Sequence, residues 1–360
     1  MEIVDIVKTF LPEEQLLFCK PLGNGHINST YMVETDRNIY SLQEINTKIF
    51  TNVDGLMSNI DKVTEHIKKK AEKRGENPHR VTLNFLPNAQ NGKMFVAAEN
   101  HAYRMYEYID DVFTIEVMEN PSDFYSAGRG FGQFANELSD FDASQLVETI
   151  VNFHNTASRY LDFEKAIQFN YNNRLADIQN EVSFVKSRKE FMSLFVDKLK
   201  NGELPLRVTH NDTKINNILF DQKTGAPAAV IDLDTVMPGT YLYDFGDAIR
   251  SGATHAAEDE QDLSKVDFDL ELYEQFTKGY LETCGASLTP MEFEMLPYSS
   301  IMLTLECGMR FLTDHLNGDT YFKVHRENHN LDRARTQFKL VEEMENHFEE
   351  MKSIINKYSN

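Results

Sequence analysis

The chain has 360 residues, 41% of them hydrophobic and 11% aromatic, which is enough apolar surface for a large core and too much for a disordered chain. Lys and Arg number 36 against 57 Asp and Glu, a formal net charge of −21. Such a chain repels nucleic-acid phosphates and anionic membrane surfaces, so neither is expected as a partner. At about 150 residues per domain, the length predicts two modules or one two-lobed unit.

Cys19, Cys284 and Cys307 are far apart and form no CxxC, which excludes a disulfide framework and a structural zinc site and fits a reducing cytoplasm. The first residues carry Glu2 and Asp5 and only a short apolar run, unlike a signal peptide. No apolar run reaches membrane-spanning length, so a soluble, cytoplasmic protein is expected.

Residues 3–10 read as a short helix. The stretch Gly23-Asn24-Gly25-His26-Ile27-Asn28 breaks the pattern. A strand follows over 30–35, then a turn at Asp36-Arg37-Asn38 and a second strand over 39–43, giving a hairpin with a glycine-rich lead-in. Residues 52–74 read as a helix from Asn52 to the stop at Gly75. Two more strands are expected at 94–98 and 102–106. From Pro121 the texture turns helical, with Phe124, Gly128, Phe131, Phe134 and Leu138 at steps of three and four. The same spacing from Ala334 through Phe338, Val341, Met344, Phe348, Met351 and Ile355 to Tyr358 predicts one long terminal helix. A β-like island lies at 206–233. The plan is α+β and two-lobed: a β-rich lobe over 1–108, and a mainly helical lobe over 109–360 that holds the island.

The island carries the chemistry. It runs Thr209-His210-Asn211-Asp212-Thr213-Lys214-Ile215-Asn216-Asn217, an H-x-D-x-x-x-x-N skeleton, and leads into the strand Ile218-Leu219-Phe220. After a polar turn comes Ala228-Ala229-Val230-Ile231-Asp232. Two apolar strands around a turn predict a hairpin. Pairing Phe220 with Ala229 would set Asn217 opposite Asp232. Asn217 and Asp232 then supply oxygen ligands for a divalent cation, and Asp212 accepts the proton of an attacking hydroxyl. His210 is expected to brace the loop. The skeleton alone is weak, because Asn and Asp are ordinary turn residues. The returning Asp232 strengthens it. Asp244-Phe245-Gly246 spells a kinase metal motif but lies too far along the chain to return on a short hairpin, so Asp244 and Asp247 read as structural acids bonded to nearby backbone.

A glycine-rich loop, HNDTKINN, AVIDLDTVMPG and YDFGD in this order resemble the aminoglycoside phosphotransferase-like kinases, which share the protein-kinase fold. PLGNGHINSTYMV, SLQEINTKIF, PLRVTHNDTKINNILFD and LECGMRFLTDHLNGDTYF are similar to the bacterial N-acetylhexosamine 1-kinases, over about residues 10–355. The resemblance implies an ATP- and Mg²⁺-dependent enzyme that phosphorylates the anomeric hydroxyl of N-acetylglucosamine or N-acetylgalactosamine. It places the base on Asp212, metal ligation on Asn217 and Asp232, and sugar contacts on His26, Asp212, Thr235, Arg310 and Tyr321. Other readings of three of these stand beside it: a loop histidine for His26, a surface ion pair with Glu306 for Arg310, and a core aromatic for Tyr321.

The nucleotide is expected at Gly23, Asn24, Gly25 and Gln43, with adenine on the backbone of Tyr106-Glu107-Tyr108. Gln43 departs from the general kinase pattern, which has a phosphate-binding lysine on this strand. Lys48 is the nearest other cation. Two alternatives remain: a kinase of this fold acting on another sugar or an amino alcohol, and a catalytically dead kinase fold used as a binding module. Intact Asp212, Asn217 and Asp232 oppose the second.

Overall fold

The computed structural model describes residues 2–22, 28–98, 101–116, 118 and 120–359. Gly23, Asn24, Gly25 and His26, expected to meet phosphate and sugar, lie outside them. The chain forms two units, each assembled from three stretches: Met1–Thr114, Asp140–Val151 and Ile218–Pro238 in the first; Ile115–Ser139, Asn152–Asn217 and Gly239–Asn360 in the second. A single cut after residue 108 does not describe this division. Most of the expected island belongs with the first unit, because Val112 and Phe113 pair with Asp221 and Phe220.

In the first unit, α1 (Ile3–Phe10) precedes β1 (Leu16–Pro21), β2 (Ser29–Thr35) and β3 (Ile39–Ile45). Helices α2 (Val53–Arg74) and α3 (Pro78–Val81) come next, then β4 (Val96–Ala98), β5 (His101–Glu107) and β6 (Val112–Phe113). An antiparallel sheet runs in the order β1-β2-β3-β5-β4. Ile6, Val7 and Phe10 of α1 join Val33, Leu42, Val96 and Met105 of the sheet in one buried cluster. The expected hairpin forms, with Tyr31 facing Leu42 and Val33 facing Tyr40. The start and stop of α2 are the expected ones: Asn52 Oδ1 accepts the Gly55 N–H at 2.9 Å, and Gly75 takes the left-handed C-cap at φ 75°. Strand β1 lacks a clean alternation because it is an edge, with Leu17 and Phe18 exposed.

Strands β8 (Ile218–Asp221) and β9 (Pro227–Val230) form the predicted hairpin, with β6 on its open side. The register differs by one residue from the expected one. Ile218 faces Val230 and Leu219 faces Ala229, and an irregularity follows before Phe220 meets Pro227. A one-residue slip exchanges the faces of a strand. The chain then turns at Asp232, whose backbone is left-handed at φ 56°, ψ 57°.

The second unit is built from α4 (Pro121–Glu137), α5 (Thr156–Phe169), α6 (Gln179–Ser187), α7 (Leu194–Lys200), the strand β7 (Arg207–Thr209), α8 (Tyr241–Gly252) and α9 (Leu270–Cys284). It is completed by α10 (Pro290–Leu316), α11 (His329–Asn346) and α12 (Phe348–Tyr358). Helix α10 starts with a capping box between Thr289 and Glu292 and is buried on most of its faces, so it shows no single apolar stripe. The expected terminal helix is two helices, because the chain leaves helical geometry at His347, φ −101°, ψ 17°. The apolar stripe runs on through Met344, Met351 and Ile355, so periodicity could not show the break. Among the described residues, no helix is long and apolar enough to cross a membrane.

Helices α4 and α9 approach at glycines. A Cβ on Gly279 would lie 2.1 Å from the Tyr125 carbonyl oxygen, and one on Gly128 2.3 Å from that of Phe276. Both obstacles are backbone, so the helices would have to part. We expect Gly279→Ala to cost about 1–3 kcal/mol or more, against a helix-propensity gain of about 1 kcal/mol. Thermal unfolding checks this, with a Tm below that of the wild type as the expected outcome.

Candidate active site

Strand β7 feeds the loop 210–217, and the first turns of α8 hold that loop by its backbone. Asp244 Oδ2 accepts the His210 N–H at 2.9 Å, and Oδ1 accepts that of Asn211 at 2.7 Å. Asp247 Oδ2 accepts the Thr213 N–H at 3.0 Å, while the Thr213 hydroxyl donates to the Asp244 carbonyl at 2.7 Å. These bonds satisfy a buried, irregular backbone that includes Asn211 in the left-handed region at φ 66°. Asp244 and Asp247 are thus the structural acids the sequence suggested. Burial pushes the Asp244 carboxyl above its ordinary pKa. Burial acts the same way on Asp247, but the Arg250 guanidinium and then Lys214 outweigh it and hold that carboxyl below the ordinary range. The Arg250–Asp247 pair spans 2.8 Å.

His210 is fully buried, with the rings of Phe131 and Phe134 edge-on at 5.8 and 5.7 Å. Its Nδ1 accepts the Asp212 N–H at 3.3 Å, so this ring braces the loop. The Asp212 side chain stays partly exposed. Its Oδ2 accepts from Asn217 Nδ2 at 3.1 Å, and Lys214 Nζ lies 3.3 Å from Oδ1. The Asp212 carboxylate raises the pKa of Lys214, the expected effect of an opposite charge. Asn217 Nδ2 also donates to the Asp212 carbonyl at 2.9 Å. The nitrogen end of the Asn217 amide is therefore committed to Asp212, and the oxygen end is the one left for a cation. The Asn217 amide oxygen is a hard donor of the kind Mg²⁺ takes, and so is the carboxylate of Asp232, which is exposed in the other unit.

In the first unit, Gln43 lies within the sheet with both ends of its amide engaged: Oε1 accepts from Arg104 Nε at 2.9 Å, and Nε2 donates to Thr30 Oγ1 at 3.1 Å. Tyr106 packs edge-on against Phe85, and burial raises its hydroxyl pKa to about 12. The N–H groups of Glu107 and Tyr108 already donate to Asn84 and Ile39, so an adenine placed here must find other groups. Thr235 is buried in the turn after Asp232.

Arg310 and Tyr321 are brought together. With Arg159, Asp162, Phe169 and Phe322 they line a cavity of about 580 Å³ in the second unit, and Asp212 is not among its lining residues. The Arg310 guanidinium lies over the rings of Phe153 and Phe322, 5.3 and 5.6 Å from their centres. It does not form the ion pair with Glu306 that helix spacing offered, because Glu306 is buried and bonded to His154 and Thr156 at 2.8 and 2.5 Å. Nor is Tyr321 a core aromatic: it is 62% exposed, and the Asp314 carboxylate anchors its backbone N–H at 2.8 Å. Sequence reasoning missed Arg159, Phe153 and Phe322, which come from separate stretches. It also missed Arg104, a charge within the otherwise uncharged run Ala102–Tyr106.

A family model described as "Phosphotransferase enzyme family" matches residues 19–279. The chain belongs to the phosphotransferase enzyme family. Among solved structures, an aminoglycoside phosphotransferase from Alicyclobacillus acidocaldarius is similar with a TM-score of 0.65 and 11% identity, over 99% of this chain and 97% of that one. A microcompartment-associated aminopropanol kinase gives 0.59 and 16%, over 97% and 98%. A spectinomycin phosphotransferase bound to ADP and spectinomycin gives 0.57 and 11%, over 95% and 97%. At these identities the likeness is one of fold, and it makes the α+β, protein-kinase-like architecture of this phosphotransferase plain.

Proposed function

We propose that this phosphotransferase moves the γ-phosphoryl group of ATP to the anomeric hydroxyl of an N-acetylhexosamine. Asp212 takes the proton of that hydroxyl and aims its oxygen. An anomeric hydroxyl is more acidic than an ordinary alcohol, so a carboxylate base suits it. Asn217, bonded to the start of β8, and Asp232, just past β9, would hold Mg²⁺, which supplies neutralisation of phosphate charge. The sugar contacts fall to Arg310, Tyr321 and Thr235, and to His26.

The observation that carries the acceptor is Arg310. Among the described residues it has no ion-pair or hydrogen-bond partner, and it lies at a cavity that Arg159 also lines. Burial and then the charge of Arg310 lower the Arg159 pKa, so positive charges already crowd there. The lining holds three cations, Arg159, Lys165 and Arg310, against two acids, Asp162 and Asp314, a balance that disfavours cationic amines and suits a neutral acceptor rich in hydroxyls. A coupled ADP-release assay tests this with N-acetylglucosamine, N-acetylgalactosamine, an aminoglycoside and an amino alcohol. Turnover with both N-acetylhexosamines is expected, and turnover with the amines alone would overturn the reading.

Arg310→Ala should lower kcat/KM for the sugar by about 10- to 150-fold, the value of a hydrogen bond from a charged donor. The Kd for ATP, from titration calorimetry, should stay within about twofold. Equal losses for sugar and nucleotide would remove Arg310 from the acceptor side.

A further inference from the structure

Strand β5 carries a charge into the interior of the first unit. Arg104 is only 2% exposed, and Asp234 3%. Arg104 donates through Nη1 to Asp234 Oδ1 and through Nε to Gln43. The second oxygen of Asp234 accepts from Asn28 Nδ2 at 2.5 Å. Two further bonds hold the same turn: Thr149 Oγ1 donates to the Asp234 carbonyl at 3.4 Å, and Asn59 Nδ2 donates to that of Val236 at 2.9 Å. The gripped segment directly follows Asp232, which takes the left-handed backbone that Asp and Asn adopt more readily than other residues bearing a Cβ but still at some cost. Such a conformation persists only where its surroundings over-determine it. The cation that holds the Asp234 end of this turn is Arg104.

We propose that Arg104 is a positioning residue. Through the Asp234 carboxylate it sets the turn that presents Asp232 to a divalent cation. The inference rests on the assignment of Asp232 as a cation ligand. Asp234 is then the buried counter-ion of Arg104 and ligates nothing. A buried carboxylate that loses its cation partner would move, and the turn would move with it.

The test uses the full chain, with Mn²⁺ as the probe. Free Mn²⁺ is followed by electron paramagnetic resonance in the presence of saturating ADP, and ADP binding in EDTA is measured by calorimetry. Arg104→Met and Asp234→Asn should each weaken Mn²⁺ binding by about 10- to 100-fold, the usual effect of removing a group that orients a metal ligand. ADP affinity in EDTA should change by less than about twofold. The double variant should be no worse than the more affected single one, because both act through one contact. Unchanged Mn²⁺ affinity in the folded variants would overturn the proposal, as would equal losses with and without metal. Should Arg104→Met not fold, Asp234→Asn decides, since it keeps the size and neutral hydrogen bonds of the side chain. Asp232→Ala separates the two claims: wild-type Mn²⁺ affinity in that variant would sink the assignment of Asp232 itself.

Discussion

Asp212→Asn should retain nucleotide binding and lose about 10²–10⁴-fold in kcat, the range for a positioned general base. The amide copies the shape of the carboxylate. It can still accept from Asn217 Nδ2, now 3.1 Å away, so the loop should keep its form. It loses the basicity and the negative charge that faces Lys214 at 3.3 Å. The loss should therefore appear in kcat, with the melting temperature and ADP affinity near those of the wild type. Steady-state kinetics beside a thermal melt checks this. A variant turning over at close to the wild-type rate would take Asp212 out of the proton transfer.

Asp244→Ala should act on stability first. The carboxylate satisfies two buried N–H groups, at 2.9 and 2.7 Å, and alanine leaves both without an acceptor. Each unsatisfied buried donor costs about 1–3 kcal/mol, so a loss of roughly 2–6 kcal/mol is expected. At about 2–4 °C per kcal/mol for a chain somewhat smaller than this one, the Tm should fall by roughly 10 °C. Asp232→Ala should do the opposite, abolishing turnover with little change in Tm. The pair distinguishes the two acids by what each one holds. Loss of Mg²⁺ dependence in Asp244→Ala, with Asp232→Ala unaffected, would exchange their roles.

What could be read from the sequence was local. The loop from His210 to Asn217 and the helix from Val53 to Arg74 with its two caps each lie within one continuous stretch, where turn chemistry and periodicity act directly. The hairpin of β8 and β9 was legible, but its register was not, because an apolar run without strict alternation does not fix which residues face each other. The break at His347 was invisible for a similar reason: the stripe on either side stays in phase. Long-range pairs were out of reach. Arg104 and Asp234 are 130 residues apart, and a charge inside a strand announces only that a partner exists. Arg310 shows the hazard of a local rule, since Glu306 stands at the right helical spacing yet is bonded to His154 and Thr156.

The position of the new phosphate is the most direct test of the account. Two-dimensional ¹H–³¹P NMR of the product formed from N-acetylglucosamine and ATP locates it. A phosphorus cross-peak to the anomeric proton is expected, with the same result for N-acetylgalactosamine. A cross-peak to the H6 protons, or no phosphorylated sugar at all, would contradict it.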